Sequence, residues 1–461
     1  MINKTILRQY DIRGVWGNDL TEDVAFQIGQ GFSTYLIRKR NKANLKVSVG
    51  RDVRLSSKPL RDSLIEGITS SGIDVVDLGV CPTPLQYFSI FRLGLDGGVM
   101  ITGSHNPPEF NGFKLSVGEE TLYGDEIQAV GRIIDEGIFA RADGKGDVSH
   151  FNIIDEYTGF LKGRFKEIRG PKVIIDAGNG TAGLVAPDLL SALGCDVTCL
   201  YCEPDGRFPN HHPDPVVEKN LKDLISEVKN TGADLGIGYD GDADRIGVVD
   251  SDGEIIWGDK LMIIFSRDIL RDNPGATIIG DVKCSQSLYD DIKSHGGNPI
   301  MWKTGHSLIK AKLKEEKAFL AGEMSGHIFF SDRYFGYDDA IYASCRLLQI
   351  LFKAGPPFSI KSLLRGVPRT SSTPEIRFDC PDDVKFRVVE DAREAFKEYP
   401  SSTIDGIRIH FDNGWALIRA SNTQPALVMR FEAADDAELK KIRAFVEERL
   451  DRILQRYKGI Q

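Results

Sequence analysis

Residues 233–245 read ADLGIGYDGDADR: a short apolar run that breaks into a polar turn carrying Asp240, Asp242 and Asp244. Two other segments have the same shape, DGGVMITGSHNP at 96–107 and AFLAGEMSGH at 318–327. Each is a strand-like run that ends in a Gly-containing loop. Upstream of each lies a helix end, a glycine and a further strand: SSGIDVVDLG (70–79), SALGCDVTCLY (191–201) and SHGGNPIMWK (294–303). Gly72, Gly194 and Gly297 mark these joints, where a left-handed residue lets the chain leave a helix. The pattern returns at intervals of roughly 100 residues, which is the mark of a repeated architecture.

Working outward, LKVSVGRD (45–52), PKVIIDAGNG (171–180) and GATIIGDVKC (275–284) are β-branched runs, and helix-like stretches such as SSKPLRDSLIEGITSSG (56–72) and GLVAPDLLSALG (183–194) follow them. This alternation predicts an α/β fold of three similar units. Each unit presents one loop at the C-terminal end of a strand, where α/β sheets place their ligands. After Pro368 the texture changes: GIRIHF, WALIRA and ALVMRFEA read as strands, and VKFRVVEDAREAFKEY and DAELKKIRAFVEERLDRILQRY as helices. That predicts a smaller α+β domain. The expected boundaries are 1–150, 151–254, 255–367 and 368–461.

The chain has 461 residues and a formal net charge of -9, with 41% hydrophobic and 27% charged residues. This composition fits several packed cores and argues against global disorder. The acidic balance argues against nucleic acid or an anionic membrane as partner. No apolar run approaches the ~18–20 residues that span a bilayer. The start MINKTILRQYDIRG lacks the apolar core of a signal peptide. The odd count of 7 Cys suits a reducing cytoplasm, and Cys195, Cys199 and Cys202 read as structural, because no zinc spacing surrounds them.

Four loops carry chemistry. In Thr102-Gly103-Ser104-His105-Asn106-Pro107, a serine in a turn after a strand is placed as a nucleophile or phosphoryl carrier, with His105 and Lys114 as nearby acceptor and cation. The carboxylates of Asp240, Asp242 and Asp244 can converge on one hard divalent cation. An EF-hand is excluded, since its sixth position would be Arg245 and its twelfth Ser251. Glu323, Ser325 and His327 suit sugar hydroxyls, and His306 lies in the same unit. Arg419, Ser421, Asn422 and Thr423 form a donor set for a phosphate dianion. Tyr10-Asp11-Ile12-Arg13-Gly14 adds a further basic contact.

Together YDIRG, TGSHNPPEFNGFK, DGDADR, KTGH, GEMSGH and RASNTQP resemble, in order and over essentially the whole chain, the α-D-phosphohexomutase superfamily, and within it the bacterial phosphomannomutase/phosphoglucomutase group. The resemblance implies three α/β/α domains with mixed sheets and a C-terminal α+β domain around a central cleft, the fourth domain closing from a hinge near Pro368. It implies a phosphorylated Ser104, and Mg²⁺ held by Asp240, Asp242, Asp244 and the Ser104 phosphate. It implies Glu323 and Ser325 on the sugar 3- and 4-hydroxyls, and Arg419, Ser421, Asn422 and Thr423 on the distal phosphate. Tyr10, Arg13, Lys114, Arg245, Lys283, His306 and His327 match positions lining the cleft.

The implied reaction interconverts hexose 1-phosphate and 6-phosphate, of mannose and glucose alike, through a 1,6-bisphosphate that must reorient. Glucose or mannose 1,6-bisphosphate would be the primer. His105, Lys114 and His306 are the candidates for acid/base work. Small hexose phosphates are the expected partners of a monomer. Phosphoglucosamine mutase, a Mg²⁺-dependent sugar phosphohydrolase and a non-catalytic binding protein stand as the competing expectations.

Overall fold

The computed structural model describes residues 2–166, 168–422 and 424–457. Three of its four sheets share one strand order. In the first domain, Phe110–Val117, Gly97–Ile101, Lys46–Arg51 and Asp74–Val80 lie side by side. The second repeats this with Ile246–Asp250, Leu235–Tyr239, Lys172–Asp176 and Asp196–Leu200, and the third with Ile328–Phe330, Leu320–Gly322, Thr277–Asp281 and Asn298–Trp302. In each set three strands are parallel and the first-named returns antiparallel. The sheets are therefore mixed. The inner parallel strands are almost wholly buried, as expected of a sheet with covered faces, whereas Asp196–Leu200 and Asn298–Trp302 at the sheet edges are half-buried or exposed.

This topology places the loops. Each chemistry-bearing loop is the short link from the third parallel strand to its antiparallel return. A parallel neighbour needs a helical crossover, but an antiparallel return needs only a turn. The three loops therefore leave their sheets at equivalent points.

Gly72 and Gly194 take the left-handed conformation expected at the helix exits, with φ of 78° and 100°. Gly297 does not. There Gly296 takes it, with φ of 77°, and Gly297 instead makes room: a Cβ on it would lie 2.8 Å from Ile292 and Leu270. Two adjacent glycines cannot be ranked by composition alone.

The C-terminal domain is an antiparallel sheet of Ser371–Ser372, Ala426–Ala433, Gly414–Ala420, Ile407–Phe411 and Ser401–Ser402, with Ile376–Asp379 also on Ala426–Ala433. Helices Lys385–Ala395 and Asp436–Gln455 contribute Val388, Ala392, Val446 and Leu450 to its core. This core is separate, whereas Phe88, Ile175, Ile237, Ile278 and Leu320 belong to one buried cluster joining the first three domains. Val282, Trp415 and Leu417 form a small apolar contact between the third domain and the fourth.

Candidate active site

The serine loop and the acidic loop meet. Ser104 is buried and non-glycine at φ 48°, a left-handed conformation that a side chain adopts at a cost. Its Oγ donates to Asp240 Oδ2 at 2.9 Å and lies 3.1 Å from His105 Nδ1. Its backbone N–H donates to Thr102 Oγ1 at 2.8 Å, and its carbonyl accepts from Arg54. Arg13 reaches the same loop, donating to Asn106 Oδ1 at 3.0 Å.

Asp240, Asp242 and Asp244 are fully buried, and each offers an oxygen within 4.8 Å of the others. Asp240 Oδ1 accepts the backbone N–H groups of Asp244 and Arg245, which curls the loop back on itself. Lys114, from the return strand of the first domain, donates to Asp242 Oδ2 at 2.8 Å and Asp244 Oδ2 at 2.5 Å. Thr83 donates its hydroxyl to the same oxygen of Asp242. One cation does not neutralise three carboxylates. Burial, together with the charges of Asp244 and Asp242, pushes the Asp240 carboxyl well above the ordinary range. At Asp242, burial is outweighed by Lys114 and Thr83, and the carboxyl is held down. Lys114 is opposed by burial but held firmly charged by Asp242 and Asp244. Asp242 Oδ1 and Asp244 Oδ1 are buried without a hydrogen-bond partner. Two orphaned hard oxygens beside Asp240 fit a divalent cation.

The third loop locks onto the second. Arg245 and His327 form an isolated antiparallel bridge, and Arg245 Nε donates to His327 Nε2 at 2.9 Å. His327 Nδ1 lies 3.1 Å from Asp338 Oδ2. Gly326 permits this contact at φ 90°, since a Cβ there would meet the Ile246 carbonyl at 2.2 Å. His306 Nδ1 lies 3.6 Å from the same Asp338 oxygen, and its ring stacks on His327 at 5.6 Å. Burial first, then Lys310, keep His306 well below its usual range and therefore neutral; burial first, then Arg245 and Arg13, do the same for His105. Glu323 is buried and accepts the Gly305 N–H at 2.7 Å, and burial raises its carboxyl. Ser325 is half-buried beside it.

The fourth loop closes on the first domain. Tyr10 donates its hydroxyl to the Thr304 carbonyl at 2.8 Å and accepts from Asn422 Nδ2 at 2.7 Å. Arg419 donates to Asp405 at 2.9 Å, and Asp405 also accepts the Thr304 N–H. Ser421 is buried and accepts the Gln424 N–H, while Lys385 donates to the Ser421 and Gln424 carbonyls. Thr423 lies outside the described residues. Lys283 donates to Glu375 at 3.2 Å; burial opposes the charge on Glu375, yet Lys283 and Arg377 hold its carboxyl down at about 2.

The structure thus brings Ser104, His105, Lys114, the three aspartates, Arg245, His306 and His327 into one contact network. Tyr10 links it to Asn422. Arg13 joins through the serine loop, Lys283 pairs with half-buried Glu375 across the third-to-fourth domain junction, and Arg419 pairs with Asp405 within the fourth domain. Arg54, Thr83 and Asp338 also belong to the network and had no signal in the sequence. Arg54 and Thr83 are distant along the chain from Ser104 and Asp242, and Asp338 meets His327 and His306 only through the fold of the third domain.

Comparison with known proteins agrees with this geometry. Four domain descriptions match in order: phosphoglucomutase/phosphomannomutase α/β/α domain I at residues 4–141, domain II at 155–253, domain III at 257–369 and the C-terminal domain at 375–449. A phosphomannomutase/phosphoglucomutase from Pseudomonas putida is 47% identical over 97% of this chain and 96% of its own. A phosphoglucomutase from Neisseria meningitidis is 45% identical over 96% and 95%. A crystal structure of a phosphoglucomutase/phosphomannomutase family protein from Burkholderia thailandensis superposes with a TM-score of 0.91 at 42% identity, over 98% of both chains. No helix among the described residues is long and apolar enough to cross a membrane. With four matched domains and near-complete coverage, the chain belongs to the phosphoglucomutase/phosphomannomutase family.

Proposed function

We propose that the protein interconverts the 1-phosphates and 6-phosphates of mannose and glucose, with Ser104 as phosphoryl carrier and a hexose 1,6-bisphosphate as intermediate and primer. The observation that carries this reading is the 2.9 Å contact between Ser104 Oγ and Asp240, inside a buried three-carboxylate site. Relatives named for both sugars support the dual specificity.

Asp240, Asp242 and Asp244 would hold Mg²⁺, with the Ser104 phosphate as a further ligand. Bound there, Mg²⁺ offsets the negative charge that collects on a phosphoryl group in transfer. The remaining roles fall to the chain's own side chains. Arg13, Lys114 and Arg245 add positive charge around the Ser104 phosphate. The phosphoryl group leaves Ser104 Oγ and bonds to the free 6-hydroxyl oxygen of a hexose 1-phosphate. That hydroxyl's proton passes to an imidazole, His105 or His306, and a proton is returned to Ser104 Oγ as its bond to phosphorus breaks, which His105 Nδ1 reaches at 3.1 Å. Lys114, pinned between two carboxylates, remains an ammonium and is a cation here rather than a base. After the bisphosphate turns end for end, its 1-phosphate returns to Ser104 and leaves the 6-phosphate.

Glu323 and Ser325 hold sugar hydroxyls in this reading, and Arg419, Ser421, Asn422 and Thr423 grip the phosphate that is not reacting. The fourth domain closes over the substrate, with Tyr10 and Asn422 as the latch. We read the protein as a monomer of the cytoplasm. Phosphorus NMR with Mg²⁺, a trace of glucose 1,6-bisphosphate and either mannose 1-phosphate or glucose 1-phosphate tests the function. Formation of 6-phosphate from both sugars is expected; release of inorganic phosphate alone would move the protein to the hydrolases.

A further inference from the structure

We infer that Arg54 is a positioning residue for Ser104, a buried clamp that holds the serine loop in the geometry needed for phosphoryl transfer. The inference rests on the reading of Ser104 as the phosphoryl carrier. Arg54 lies just past the strand Lys46–Arg51, and its side chain is wholly shielded from solvent. A buried cation needs a partner for each of its polar groups.

The guanidinium has five N–H groups, and all five are used locally. Nη1 donates to the carbonyls of Pro107 at 2.5 Å and Phe110 at 3.0 Å. Nη2 donates to those of Ser104 at 2.8 Å and Asn106 at 2.6 Å. Nε donates to Asp52 Oδ2 at 3.1 Å. Four carbonyls of one loop therefore converge on one planar cation, which fixes the tilt of four peptide planes.

Ser104 sits at the centre of this arrangement. Its carbonyl faces Arg54 while its Oγ faces Asp240. Holding one end of the residue in a left-handed conformation sets where the other end points. Asp52 completes the clamp. It accepts the Gly103 N–H at 3.1 Å, the Arg54 N–H at 3.0 Å and the Ser57 hydroxyl, tying the loop to helix Ser57–Thr69. Gly103 has no side chain to spare, since a Cβ there would lie 2.4 Å from Arg54 Nε.

The clamp also reaches the second domain, which carries the three aspartates. The Phe208 ring lies 5.1 Å from the guanidinium, and at Gly206 a Cβ would meet the Val53 carbonyl at 2.3 Å. One side chain thus spans the two bodies whose alignment sets the distance from Ser104 to Asp240. Lysine has the charge but three donors and no planar fork, so it cannot satisfy four carbonyls and a carboxylate together.

The test uses full-length wild type, Arg54→Lys and Asp52→Asn. Single-turnover transfer of label from ³²P-glucose 1,6-bisphosphate to Ser104 is measured, with kcat, KM for glucose 1-phosphate and the melting temperature alongside. Misplacing a reacting atom by an ångström costs about 100-fold in rate. We expect labelling and kcat to fall together, about 100-fold in Arg54→Lys and by a smaller factor in Asp52→Asn, with KM unchanged within about threefold. A purely structural role would lower the melting temperature and leave kcat and the labelling rate of the folded fraction near wild type, which would overturn the inference. If Arg54→Lys does not fold, Asp52→Asn decides in the same way. Wild type that, after its phosphate is discharged to glucose 6-phosphate, takes up no label on Ser104 would overturn the phosphoserine reading and the inference with it. Wild type and variants labelling at one rate would overturn the inference alone.

Discussion

Tyr10→Phe removes a single oxygen atom from the latch between three domains. The Tyr10 hydroxyl donates to Thr304 and accepts from Asn422, while its ring packs so close to Gly305 that a Cβ there would lie 2.5 Å from it. Phenylalanine keeps the ring and loses both bonds. A hydrogen bond of this kind contributes about 1 kcal/mol net, so two contribute about 2 kcal/mol to the closed arrangement, or roughly 30-fold in its population. Thr304 and Asn422 are half-buried and regain water when the fourth domain lifts away, so no larger penalty is expected. The loss falls on closure. The expected result is kcat/KM for glucose 1-phosphate reduced about 30-fold, mostly through KM, with the melting temperature little changed. Burial raises the Tyr10 phenol to about 12, with Arg419 and Asn422 opposing. It therefore keeps its proton through the neutral range, and the pH–rate profile of the variant should overlay that of wild type. A kcat/KM within twofold of wild type would refute the latch.

Three further outcomes are expected. Asp339 caps helix Ala340–Ala354 and accepts from Tyr157 and Tyr334, yet burial, despite these bonds, lifts its carboxyl from 3.8 to about 6. A carboxyl raised in the folded state contributes stability that is full below its unfolded value and is lost as pH rises through the folded one. The melting temperature of Asp339→Asn should therefore gain on wild type between pH 4 and pH 7, by the equivalent of about 3 kcal/mol, and a pH-independent difference would contradict this. Asp242→Asn should abolish Mg²⁺ binding in titration calorimetry and lower kcat by at least about 100-fold, with excess Mg²⁺ failing to restore it. Glu432 accepts from Ser285, Gln286 and Trp415 across the third and fourth domains; Glu432→Ala strands three buried donors and should cost about 2–3 kcal/mol, read as earlier melting and faster proteolysis in the segment before Ser371.

The strands and loops were legible because their signals are local. A run such as LGIGY ending in DGDADR announces a buried strand and an acidic turn within a dozen residues. The β-branched runs and the strands after Pro368 were equally plain. What stayed hidden depends on packing. Arg54, Thr83 and Asp338 are ordinary polar residues in sequence: Arg54 and Asp338 gain meaning only when a loop of their own domain folds onto them, and Thr83 only when the second domain supplies Asp242. The left-handed joint at Gly296 rather than Gly297 was hidden for a different reason. Both glycines tolerate that backbone, and the choice is made by where the helix ends: the Gly296 N–H bonds the Lys293 carbonyl and the Gly297 N–H the Ile292 carbonyl, the closing pair that puts the left-handed residue at 296.

The central claim is that Ser104 carries the phosphoryl group. Intact-protein and peptide mass spectrometry after incubation with glucose 1,6-bisphosphate and Mg²⁺ tests it most directly. One added phosphoryl group is expected, on Ser104, that is lost again when glucose 6-phosphate is supplied and that Ser104→Ala never acquires. Interconversion of hexose phosphates without phosphate on Ser104, or with phosphate on another residue, would contradict it.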